Sequence, residues 1–187
     1  MPAKPARIDY ASVFPAGVRA MAGLRRAVAA ARLEPLLLEL VKMRASQING
    51  CAHCLEVHSK DARALGESEQ RLHLLAAWRD APCYDARERA ALAWCEHLTL
   101  ISEAGAPDAA YETLEESFSA QEIVALTLAI AAINGWNRLA ISMRAPVGAY
   151  ASPRRPDIEP SRAGQPPGRA HPNTRQAGRW NHARSTT

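Results

Sequence analysis

One stretch limits the accessible folds more than any other. From Ile123 to Asn137 the chain runs 15 residues without a charge, and up to Ile133 it is apolar nearly all round a helix. Such a helix needs buried walls on several sides, in a core or a subunit interface. Ser119 and Glu122 stand at capping-box spacing just before it, which predicts a helix over 120–143. The apolar stretch is shorter than the about 20 residues of a membrane span. Asn134 and Asn137 interrupt it as well.

The rest of the chain reads the same way. Only 5% of residues are aromatic, Ala and Leu abound, and no alternating pattern suggests a β-hairpin. Val18, Met21, Leu24 and Val28 recur at helical spacing. Pro35 suits the first turn of a helix running to Asn49-Gly50, where the pair signals a stop. A third helix is predicted from Cys51 to near Gly66, and a short one from Ser68 to Trp78. Asp85 caps a long helix beginning ARERAALAWCEHL; Asp108 caps a short one to Glu116. The expected fold is all-α, a helical bundle over 16–151 behind an irregular arm at 1–15.

Residues 152–187 differ in kind. They hold six Pro, three Gly and seven Arg, with Ile158 and Trp180 as the large apolar residues. That composition cannot bury enough surface to offset ordering, so a disordered basic tail is expected. The tail explains the formal net charge of +4, because the body is close to neutral. No basic stripe marks the body for nucleic acid. Lys4, Arg7 and Asp9 are not followed by a signal-type apolar core, so a cytoplasmic, non-membrane protein is expected. Four Cys in such a compartment point to redox chemistry or metal rather than to a disulfide framework.

The chemistry concentrates in NGCAHCLEVH, residues 49–58. Cys51 and Cys54 form a CxxC at a helix start, where free amide protons and the macrodipole favour a thiolate. The spacing also lets the two sulfurs close a disulfide. His58 follows Cys54 by one turn and can polarise it directly or through a water. Cys51 lies about 10 Å from His58 along the axis, out of easy reach. That geometry makes Cys54 the attacking thiolate and Cys51 the resolving thiol. His53 is expected on the other side of the helix.

Glu39 interrupts the apolar run LLLELV on the preceding helix. Two readings stay open. If it is buried beside the thiols, its pKa rises and it can transfer protons; otherwise it pairs with Lys42 on a surface face. Cys95, on an apolar face, reads as a core thiol. Cys83 has no acid or His at helical spacing and reads as structural.

Glu39, Cys51-Ala-His-Cys54 and His58 together resemble the signature of alkylhydroperoxidase AhpD-like proteins, in the carboxymuconolactone decarboxylase superfamily. The surrounding words LVKMRASQINGCAHCLEVHSKDARALGES and LTLAIAAINGWNRLAISMR extend the resemblance over about residues 15–148. It implies an all-helical fold and a thiol-dependent peroxidase cycle with no bound cofactor. In that cycle Cys54 attacks the peroxide, and Cys51 donates a proton and closes the Cys51–Cys54 disulfide. Glu39 and His58 relay protons. The implied partners are a peroxide, an external dithiol such as a lipoyl group on another protein, and further copies of the chain in a trimer or hexamer.

Three other readings compete with this one. Cys51, Cys54 and His58 could hold Zn²⁺ with a fourth ligand, but structural zinc sites usually pair CxxC with a second knuckle. A decarboxylase has no evident need for paired thiols. A non-catalytic helical oligomer could use the disulfide as a redox sensor.

Overall fold

Helix ends place everything in this fold, and the turn at Gly50 is the sharpest of them. In the computed structural model, which describes residues 5–153, Pro35 opens a helix at its first turn and Gly50 closes it with φ +68° and ψ +33°. The Gly50 amide donates to the Gln47 carbonyl at 3.2 Å and the Cys51 amide to Ser46 at 2.9 Å. These paired bonds are a Schellman motif, and the left-handed residue they need is the glycine. The chain thus reverses within one residue, and Cys51 becomes the N-cap of the next helix.

Nine helices and no strand occur among the described residues. They are α1 (Tyr10–Val13), α2 (Pro15–Ala30), α3 (Pro35–Asn49), α4 (Ala52–Ala64), α5 (Glu69–Leu74), α6 (Ala86–Thr99), α7 (Ile101–Ala104), α8 (Asp108–Glu115) and α9 (Ala120–Met143). A 3₁₀ turn, Leu75–Ala77, extends α5. Capping boxes start α6 at Asp85 with Glu88 and α9 at Ser119 with Glu122, so each first turn has its orphan amides paired. Asp108 sits one residue inside α8 and Pro107 takes the cap position, because the prolyl φ already suits that turn.

α3 and α9 form the centre. α3 packs against α4, α6 and α9, and α9 also against α2 and α6. Leu37, Val41, Ala45, Leu126, Ile130 and Ile133 are buried in the main core, where each large side chain contributes about 1.5–3 kcal/mol through burial. A second cluster, with Leu40, Met43, Leu72, Leu75, Trp78 and Leu92, seats the α5 segment on α3 and α6. α9 is long and apolar enough to cross a membrane by length and composition, but 56% of that stretch is buried inside the fold. A core helix passes the same test, because it is walled by its neighbours.

Both chain ends depart from the sequence expectation. Part of the arm is helical: Asp9 caps α1 by accepting from the amides of Ala11 and Ser12 at 3.1 and 3.3 Å. Arg7 then ties the arm to the end of α9, its amide donating to the Met143 carbonyl at 2.9 Å and its guanidinium to Ser142 at 3.0 Å. A capping aspartate at position 9 could have signalled this short helix. At the other end, Ser152 does not begin a free tail; its hydroxyl donates to Asp61 on α4 at 2.6 Å. The tail expected to be disordered, from residue 154 onward, lies outside the described residues.

Gly50→Ala will cost on the order of 1 kcal/mol, because a Cβ is strained at that φ. Urea denaturation of the two proteins measures it.

Candidate functional site

The Gly50 turn delivers Cys51 to the mouth of α4, where its sulfur accepts the Cys54 amide at 3.4 Å. Both thiols are free and buried. The Cys54 thiol lies within hydrogen-bonding reach of the Cys51 sulfur. That bond, joined by the Cys54 amide, His53 and Asn137, outweighs burial and lowers Cys51 to about 6. Cys54 is pushed up instead, by the hydrogen bond it donates, by burial and by the Cys51 charge. The resting negative charge therefore sits on Cys51, whereas helix spacing pointed to Cys54. The reason is local: Cys51 is the N-cap and receives the amide, while Cys54 supplies it.

Glu39 is the deepest charge in the site, 1% exposed. Its Oε1 accepts from Lys42 Nζ at 2.9 Å and its Oε2 meets His58 Nδ1 at 2.7 Å. Both readings of this residue hold in part. It is buried, and it also pairs with Lys42. Its pKa does not rise. Burial pushes it up, but the His58 hydrogen bond and the Lys42 charge overcome that and bring it to about 2. Glu39 is consequently a fixed carboxylate that orients His58 and holds Nδ1 as its anchor. The His58 Nε2 is left for the cavity.

Behind the sulfurs lies a polar network that the sequence did not assign to the site. Asn137 is fully buried, and its amide lies near both sulfurs and favours the thiolate on each. Its own amide donates to Ser46 Oγ at 3.0 Å, and its oxygen accepts from Asn49 at 2.9 Å. Asn49 also donates to Asn134 at 2.9 Å, which donates to Thr99 at 3.1 Å. The network joins α3, α6 and α9 under the Gly50 turn. Its signal was present as three Asn in otherwise apolar surroundings, since buried amides require partners.

In front of the sulfurs is a cavity of about 520 Å³. Cys54, Glu39, Lys42 and His58 line it; Cys51 does not. Its apolar wall includes Val28, Leu38, Ile133 and Trp136. Tyr10 from the arm and Tyr150 from the C-terminal segment line it too. His53 also lines it, contrary to the expectation that it faces away, because its Nδ1 lies 2.7 Å from the Pro146 carbonyl and the segment after α9 folds over α4. The same segment is held by Gly148 N to Glu56 at 2.7 Å and by Tyr150 Oη to Asp61 at 2.8 Å.

Glu39, His58 and Asp61 bring donor atoms within 4.8 Å of one another, a set that could hold a metal. Neither cysteine belongs to that set, and Lys42 already places a cation on the same carboxylate. Cys95 lies elsewhere in the core, as expected; burial pushes its thiol up to about 12.

An all-helical bundle with a CxxC at a helix mouth, facing a buried Glu–His pair, defines an AhpD-like chain, and this protein belongs to the carboxymuconolactone decarboxylase family, matched over residues 15–97. It is 39% identical over 137 residues to the Bacillus subtilis protein YdfG, itself uncharacterized, covering 73% of this chain and 93% of that one. The crystal structure of a protein of unknown function from Agrobacterium tumefaciens, described as a candidate antioxidant defence protein AhpD, matches with a TM-score of 0.75. The two are 44% identical over 78% of this chain and 100% of the other. The debrominase Bmp8 shares the fold, with a TM-score of 0.65 at 22% identity over 72% of this chain and 73% of its own.

Two measurements probe this geometry. Iodoacetamide alkylation of the reduced pair will show an inflection near pH 6, and Asn137→Ala will move it upward by removing a hydrogen bond to the thiolate. Glu39 is lowered from 4.5 to about 2, so the stability from its ionisation is complete above the higher value and disappears as pH falls through the lower. Glu39→Gln will flatten that acid dependence in chemical denaturation. At neutral pH it will cost roughly 3 kcal/mol by leaving Lys42 and His58 without their anion.

Proposed function

We propose that this protein is a thiol-dependent peroxidase that reduces hydroperoxides through a Cys51/Cys54 dithiol–disulfide cycle. The observation that carries the reading is the placement of Cys54 in a cavity beside His58, with the low-pKa Cys51 directly behind it. The described kinship of the Agrobacterium protein to AhpD is consistent with it.

The pair shares one proton, and its charge can move from Cys51 to Cys54. The Cys54 thiolate then attacks the terminal oxygen of the hydroperoxide. A sulfur–oxygen bond forms, the O–O bond breaks, and Cys54 becomes a sulfenic acid. The departing alkoxide takes a proton from the His58 imidazolium and leaves as the alcohol. Cys51 by then carries the proton that Cys54 gave up. Cys51 attacks the sulfenic sulfur, the disulfide closes, and hydroxide leaves with that proton as water. Glu39 stays ionised throughout and holds the His58 ring in place through Nδ1. An external dithiol, such as a lipoyl group on a partner protein, reduces the disulfide.

The cycle suits a reducing, cytoplasmic compartment, where the disulfide is transient. A trimer or hexamer is the assembly we propose. Val124 and Leu128, exposed on α9, supply apolar surface for its contacts.

Cys54→Ser will abolish peroxide consumption with dithiothreitol as reductant. Cys51→Ser will form a sulfenic acid that dimedone traps but that does not resolve. Consumption at the wild-type rate by Cys54→Ser protein would overturn the assignment.

A further inference from the structure

The peroxidase reading needs a hydrogen-bond donor for the oxygen that departs from the peroxide, besides the group that finally protonates it. Arg25 and Arg26 line the cavity from its exposed side, and most of its other polar side chains are committed. Both Glu39 oxygens are engaged, by Lys42 and His58. The Tyr150 hydroxyl donates to Asp61, and the His53 Nδ1 faces the Pro146 carbonyl. The Tyr10 hydroxyl makes no hydrogen bond to protein among the described residues, and Tyr10 lines the same cavity as Cys54 and His58.

Its position is built rather than incidental. The Asp9 cap folds α1, and Arg7 fastens the arm to the Met143 end of α9, so the half-buried Tyr10 ring lines the cavity as part of the fold. The hydroxyl also lies in the field of the reacting groups: burial raises its pKa first, and then the charges of Cys54 and Cys51. It remains a protonated donor at neutral pH.

We propose that the Tyr10 hydroxyl donates a hydrogen bond to the departing oxygen of the hydroperoxide while Cys54 breaks the O–O bond, which makes the N-terminal arm part of the active site. Tyr10 supplies no proton in the balance; the hydrogen bond spreads the charge that grows on that oxygen until His58 protonates it. The inference rests on the peroxidase reading.

The test compares Tyr10→Phe with the wild type, using cumene hydroperoxide and dithiothreitol. The hydroxyl matters only when an oxygen carries developing charge. We expect kcat/KM for the peroxide to fall on the order of tenfold to a hundredfold, with most of the loss in kcat. Iodoacetamide alkylation, which generates no alkoxide, will keep its rate and its pH profile. Tyr10→Phe protein that consumes peroxide at the wild-type rate would overturn the role while leaving the cysteine cycle standing. A parallel loss of alkylation would also overturn it, since Tyr10 would then be acting on the sulfurs. A wild type inert to peroxide would instead overturn the cycle, and this role with it.

Discussion

A carboxylate buried as deeply as Glu39 stays charged only in company. Removing it from water costs several kcal/mol, and the interior returns that only through close, well-directed partners. Lys42 supplies one from the next turn of α3, and His58 supplies the other from α4. The pairing therefore fixes more than a proton state. It holds α3 against α4 and fixes the His58 ring through its Nδ1. The rest of the proposed chemistry follows from this arrangement.

The thiols depend on a second constraint, the reversal at Gly50. A Schellman turn places Cys51 at the N-cap, and the N-cap decides which sulfur receives the Cys54 amide. The two sulfurs thereby acquire different tasks from nearly identical surroundings. Cys51 bears the resting charge but is shut off from the cavity; Cys54 faces the cavity but holds the proton. A shared proton reconciles the two, because moving it transfers the charge to the accessible sulfur. Asn137 serves both states, since its buried amide reaches both cysteines.

The two ends of the described chain complete the site. Arg7 carries the arm to the close of α9, and Asp61 receives Tyr150 and Ser152 after the chain has left α9. Segments far apart in sequence so line one cavity.

Local chemistry was readable from the sequence because it acts within a turn or two. The capping boxes at Asp85 and Ser119, the stop at Asn49-Gly50, the CxxC at a helix start and the apolar stripe of α9 all depend on neighbours three or four residues away. Only the tertiary structure could decide the sign of the Glu39 shift, because burial and pairing oppose each other and the winner depends on distances to His58. It also decided that Asn137 reaches the sulfurs, and that Tyr10 and Tyr150 line one cavity. Those contacts join residues tens of positions apart, and no local spacing encodes a separation that packing alone creates.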